Sequence, residues 1–184
     1  MTPLVLAVAG SIGSGKSTLA HGVAAALDWP VLGFGDYVRQ IAHQQGQEES
    51  RAVLQEIGAA LVAAGEDGFC RAVLGAAGWA PGQSLVIEGV RHVEIVLALR
   101  RLVRPTPLKL VFVAVDEDIR QERLQTRALA DAAQLPQIDQ HSTEIQVKAA
   151  LAPLADLVVD GTQLPGTLIK EIVSWAQQQT ESPV

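Results

Sequence analysis

The chain has 184 residues, 48% hydrophobic and 18% charged, the profile of one ordinary globular domain and not of a disordered or fibrous protein. A formal net charge of −6 argues against general nucleic-acid binding, which needs basic stripes, and leaves room for a small anionic ligand held by a few placed arginines. The only cysteine, Cys70, permits no intramolecular disulfide, fits a reducing compartment, and reads as a small buried hydrophobe. No run of about 18 uninterrupted apolar residues occurs, so no spanning helix is expected. The start of the chain has no basic region ahead of its apolar run and so does not read as a signal peptide. The expectation is a cytoplasmic protein, monomer or homodimer, with neither nucleic-acid nor membrane partners. Aromatic residues make up only 4%, which leaves the core to Leu, Val, Ile and Ala.

The first predicted strand, 4–10, runs directly into Gly10-Ser11-Ile12-Gly13-Ser14-Gly15-Lys16-Ser17, a complete G-x-x-x-x-G-K-[ST] pattern, and then into a helix over 16–27. Glycines let such a loop aim successive backbone N–H groups at phosphate oxygens. The helix N-terminus adds its positive dipole end. Residues Gly10 through Thr18 are therefore expected to hold a nucleoside triphosphate. Lys16 would reach the β- and γ-phosphates and the Ser17 hydroxyl would ligate Mg²⁺.

A second strand is expected over 30–35, with Asp36 as the N-cap of a helix over 36–45 that carries Arg39. Helices follow over 50–64 and 66–77. The third strand, 84–89, ends on Glu88, with Arg91 three residues on, before a helix over 92–103. The fourth strand, 108–115, leads into a helix over 117–132. There Arg123 and Arg127 are four apart and share a face, while Arg120 lies on a neighbouring one and Glu117, Asp118 and Glu122 offer acidic partners. No Lys or Arg occurs from Ala128 to Val147. A helix over 141–151, a strand over 157–161 and a helix over 165–179 complete the chain. Short, unalternated apolar runs between helices suit strands covered on both faces. The fold class is thus α/β, a three-layer αβα arrangement around a five-stranded parallel sheet. His21, His43 and His92 lack metal-ligand spacing, no cysteine cluster supports zinc, and His141 and Glu144 read as a solvated helix start.

Beyond the phosphate loop, "FGDYVRQIA" (34–42) is similar to the GDxxR element of nucleoside monophosphate kinases, matched by Gly35, Asp36 and Arg39. "LVIEGVR" (85–91) resembles their hhhDGxR element, with Glu88 in place of Asp. "RLQTR" (123–127) resembles the R-x-x-x-R at the root of an adenylate-kinase-like lid. "ADLVVDG" (155–161) resembles the last strand, ADxxIxN. The chain thus resembles small P-loop kinases of the adenylate-kinase-like group, which includes nucleotide kinases and dephospho-CoA kinases.

The resemblance implies a single kinase domain over 1–184, with an acceptor-binding insertion about 36–75 and a lid about 117–150. It implies ATP and Mg²⁺ as cofactors, with Glu88 near the metal. Gly35, Asp36, Arg39 and Arg91 would take the acceptor, Arg123 would stack on the adenine, and Arg127 would contact the transferring phosphoryl. A guanidinium pairs bidentately with phosphate in a way lysine does not. The expected acceptor is a small phosphorylated molecule, foremost a nucleoside monophosphate. A dephospho-CoA-kinase-like transfer to a hydroxyl, with Asp36 as base, and a regulatory NTPase without a small acceptor both stay open.

Overall fold

A computed structural model describes residues 2–130 and 150–181, with the side chains of 127–130 outside the described part. Five parallel strands, β1 (Val5–Gly10), β2 (Val31–Gly33), β3 (Leu85–Glu88), β4 (Leu108–Ala114) and β5 (Leu157–Asp160), form one sheet in the order β2-β3-β1-β4-β5. Among the described residues seven α-helices surround it: α1 (Lys16–Leu27), α2 (Phe34–Gln44), α3 (Arg51–Ala63), α4 (Glu66–Ala76), α5 (Val93–Leu102), α6 (Glu117–Ala130) and α7 (Pro165–Glu181). All five expected strands are present. Most of the helix expected over 141–151, with His141 and Glu144, lies outside the described residues. None of the described helices is long and apolar enough to cross a membrane.

The three layers follow from side-chain alternation along β1, all six residues of which are buried. Val5, Ala7 and Ala9 enter the core cluster that α2 to α5 cover, with Val38, Ile57, Val73 and Leu99. Leu6 and Val8 enter the opposite cluster, closed by Leu19 and Val23 of α1 and Leu168 and Ile172 of α7. Each fully buried Leu or Ile in these layers contributes about 1.5–3 kcal/mol. The core is mainly aliphatic, as composition requires, but all three phenylalanines, Phe34, Phe69 and Phe112, are also buried in it. Phe34 and Phe69 meet edge to face with centroids 5.1 Å apart. Cys70 is fully buried, and desolvation, with Asp67 adding to it, pushes its thiol up to about 12, so it is an inert packing group.

One boundary differs from expectation. β2 pairs with β3 only from Val31 to Gly33, and Phe34 and Gly35 already belong to α2. The apolar run continues because Phe34, the first helical residue, is as buried as a strand residue, and hydrophobicity alone does not tell the two apart. The N-cap of α2 is therefore Gly33, with no side-chain cap, and Asp36 sits in the first turn of the helix. An acid there still complements the positive end of the helix.

Asp156, immediately before β5, ties the far edge of the sheet together. Its carboxylate accepts from the Leu110 backbone N–H of β4 at 2.8 Å, from Arg100 Nη2 of α5 at 3.1 Å and from Lys109 Nζ at 3.3 Å. This is the acid of the expected ADxxIxN element, and its role here is to seat β5 beside β4. It is only 23% exposed, so truncation would leave a backbone donor and two cations without their acceptor. Asp156→Ala is expected to cost about 1–3 kcal/mol, read as a lower urea midpoint at unchanged slope.

A phosphate-binding loop with acids on one side and an arginine cavity on the other

In this strand order β1 lies between β3 and β4, and the carboxyl ends of these strands open where the chain's connections diverge, the position at which open α/β sheets take ligands. The loop from Gly10 to Lys16 leaves β1 at that edge. Gly13 and Gly15 adopt φ of 85° and 86°, left-handed values that side chains resist, and Gly15 is the N-cap of α1. No side chain caps α1 and its first turn holds no acid. The helix N-terminus thus presents its backbone donors without an anion of its own. Lys16 folds back over the loop, its Nζ donating to the Ser11 carbonyl at 3.3 Å. Ser17 and Thr18, next on α1, are exposed, and Ser14 is buried with its Oγ lacking a hydrogen-bond partner among the described residues.

On the β2–β3 side, two carboxylates converge over the Cα of Gly33. A Cβ built there would lie 2.3 Å from Asp36 Oδ2 and 3.5 Å from Glu88 Oε1. A side chain at this position would push the Asp36 carboxylate aside. The other Asp36 oxygen, Oδ1, accepts from Arg39 Nη2 one helical turn on, and the Arg39 guanidinium lies across Gly35, 3.7 Å from where a Cβ would stand. Gly35, Asp36 and Arg39 are therefore one cluster, and Asp36 is 63% exposed. Glu88 ends β3 and is only 14% exposed. Its Oε1 lies 3.7 Å from His21 Nε2 on α1, and its Oε2 is buried with no hydrogen-bond partner among the described residues. Arg91, in the loop between β3 and α5, is half-buried.

A buried carboxylate oxygen without a donor is costly unless a cation completes it. With the exposed Ser17 hydroxyl in the first turn of α1, the oxygens present fit a hard divalent cation such as Mg²⁺. Among the described residues no three His, Cys, Asp or Glu side chains converge as a metal site. A cation here would share its coordination with phosphate oxygens.

On the β4–β5 side a cavity of about 260 Å³ opens between the phosphate loop and the segment after β5. Gly13, Gly15 and Thr18 form one wall, Gly161, Gln163 and Pro165 another, and Arg123 of α6 faces them. The close approach of the two loops requires Gly161, where a Cβ would stand 2.9 Å from the Ala114 carbonyl and 3.2 Å from that of Ser14. Asp160 caps this turn: its Oδ1 accepts from the Thr162 backbone at 3.0 Å and hydroxyl at 2.7 Å, and those bonds, the hydroxyl's first, hold its carboxyl below the usual range. Arg120 proves to be the buried arginine of α6, paired with Glu117, and not a bystander to Arg123. The Arg127 side chain lies outside the described part. Two features escape a reading of the sequence alone. Gly33 carries no motif, and only its place before the acid hints at a role. Arg120 is signalled only by its Glu117 partner three residues earlier.

A glycine loop with an initial helix lysine, set at the head of the central strand of a five-stranded parallel sheet, defines the α/β P-loop kinase fold. A family model described as an AAA domain matches residues 6–144, and the chain belongs to that AAA-domain family of P-loop proteins. No curated protein matches the sequence. Among solved structures, a candidate kinase from Chloroflexus aurantiacus is similar at 22% identity and a TM-score of 0.65, covering 97% of this chain and 98% of that one. A gluconokinase from Sinorhizobium meliloti is similar at 18% identity and TM-score 0.59, over 98% and 95%. A shikimate kinase from Acinetobacter baumannii, solved with shikimate, is similar at 13% identity and TM-score 0.61, over 98% and 97%.

Proposed function

We propose that this protein is an ATP-dependent small-molecule kinase whose acceptor is a hydroxyl group on a small molecule that also bears an anionic group. The observation that carries the reading is the meeting of Asp36 and Glu88 over Gly33 beside the phosphate loop. A phosphate oxygen is already anionic and needs no base, and two carboxylates at its seat would repel it. A hydroxyl must lose a proton as it attacks, and a kinase carboxylate commonly accepts it. The names of the similar structures, a gluconokinase and a shikimate kinase, point to hydroxylated acids.

In this reading the loop from Gly10 to Thr18 holds the triphosphate, and Lys16 neutralises charge growing on the γ-phosphoryl. Arg123 covers the base in the cavity, and Arg127, one turn on, serves the transferring group. Ser17 and Glu88 would hold Mg²⁺, which supplies charge neutralisation at the phosphates. Arg39 and Arg91 take the acceptor's anionic group, and Arg39 also steadies Asp36. The acceptor hydroxyl gives its proton to Asp36 Oδ2, its oxygen bonds to the γ-phosphorus, and the bond to the β–γ bridging oxygen breaks to release ADP. The segments 36–75 and 117–150 serve as acceptor insertion and lid of a single kinase domain, and exclude water from the donor.

A second reading keeps a nucleoside monophosphate as acceptor. The match of Gly35, Asp36 and Arg39 to the GDxxR element, with Arg91 in reserve, favours it. ADP release with ATP and Mg²⁺, measured against a panel of polyhydroxylated acids and the four nucleoside monophosphates, decides between them. The expected result is acceptor-dependent ADP formation with at least one hydroxylated acid and none with monophosphates. The reverse pattern establishes the second reading. ADP release indifferent to every acceptor would instead describe a regulatory NTPase.

A further inference from the structure

We propose that Arg120 is a positioning residue, which seats the root of α6 on the phosphate loop and thereby aims Arg123 into the nucleotide cavity. The inference rests on the nucleotide-binding part of the reading above. It does not depend on which acceptor is used.

Arg120 is 8% exposed, an unusual place for a guanidinium. Two of its donors grip the Glu117 carboxylate, Nε to Oε2 at 2.8 Å and Nη2 to Oε1 at 2.5 Å. A third, Nη1, reaches across the chain to the Ile12 carbonyl, inside the phosphate loop, at 3.4 Å. The stem of the side chain rests on the loop as well. A Cβ placed on Gly13 would lie 3.3 Å from Arg120 Cγ and 3.2 Å from Leu124 Cγ. Arg120 and Leu124, four apart on α6, thus straddle Gly13, and Arg123, on the adjoining face of the same turn, lines the cavity. Glu117 is 61% exposed, so this ion pair by itself adds little stability. What the arrangement supplies is register. The fork must stay flat between a carboxylate of its own helix and a carbonyl of the loop, and this fixes both the rotation and the height of α6 on Gly13. Lysine, a single point donor, does not reproduce that geometry.

The test is a double-mutant cycle on nucleotide affinity, read by calorimetric titration of ATP with Mg²⁺ into the full-length protein. Arg120→Met keeps the stem over Gly13 and removes the fork, and Glu117→Gln keeps Arg120 and weakens its anchor at an exposed site. Arg120→Met is expected to weaken ATP roughly tenfold, and Glu117→Gln a few-fold, with thermal unfolding little changed for the latter. In an Arg123→Ala background both effects should shrink to less than about twofold, because a residue acting through Arg123 has nothing left to aim. The loss itself must be conditional on Arg123. Equal losses in both backgrounds overturn the proposal, as does unchanged affinity in both single variants. If Arg120→Met fails to fold, the Glu117→Gln arm decides alone. Absence of ATP binding by the wild-type protein would remove the nucleotide reading and this proposal with it, whereas wild-type binding with additive effects removes this proposal only.

Discussion

Lys16→Ala is expected to reduce phosphoryl transfer roughly a hundred- to a thousandfold, the scale of losing one preorganised charge partner of the transition state. The ammonium rests on the Ser11 carbonyl at 3.3 Å, at the mouth of a helix N-terminus that has no acid of its own. Charge on the γ-phosphoryl is what this cation is placed to meet, and its attraction matters most where that charge is redistributed. The fold should hardly notice. A positive side chain in the first turn opposes the helix dipole, so its removal costs α1 nothing on that account. Surface changes of this kind shift stability by about 0.5 kcal/mol or less. Coupled ADP-release kinetics together with thermal unfolding check both halves. Near-wild-type turnover in a folded Lys16→Ala protein would remove the phosphate loop from the chemistry.

The legible and illegible parts of this molecule divide along a physical line. The inner strands are visible because strands buried on both faces read as nearly continuous apolar runs, as β1, β3 and β4 do, whereas β5, an edge strand with Val158 exposed, shows only as a short apolar run between helix patterns. The phosphate loop is visible because its chemistry demands glycines and a lysine at fixed spacing within one segment. The β2–α2 junction is not, since Phe34 is buried on both readings and the hydrophobic signal does not change where the backbone does. The acid pair is hidden for another reason. Asp36 and Glu88 are more than fifty residues apart in the chain, and the glycine that lets them meet, Gly33, acts by what it lacks. Arg120 and Arg123 lie three apart with like chemistry, and only the packing of α6 on Gly13 sends one into the protein and the other into the cavity. Sequence spacing gives relative directions around a helix, but the neighbour that a given face meets is a property of the tertiary structure.

Asp36→Asn separates the two acceptor chemistries by sign. Asn has the size of Asp, keeps an oxygen to accept from Arg39, and fits the space that Gly33 leaves, so stability should stay within about 0.5 kcal/mol for a side chain as exposed as this one. It does not take up a proton in the transition state. For a hydroxyl acceptor, kcat is therefore expected to fall roughly a hundred- to ten-thousandfold, the usual worth of a positioned acid or base, with ATP affinity unchanged. For a monophosphate acceptor the same substitution removes a negative charge from beside an anion that needs no base. Repulsion with the acceptor then falls, KM drops or stays level, and kcat is little affected. Steady-state kinetics of Asp36→Asn with the best acceptor from the panel, alongside calorimetric titration of ATP, read both quantities in one preparation. A collapse of kcat at constant ATP affinity assigns proton acceptance to Asp36. Retained kcat with improved KM would reassign Asp36 to orienting Arg39, and with it would move the site back toward phosphate acceptors.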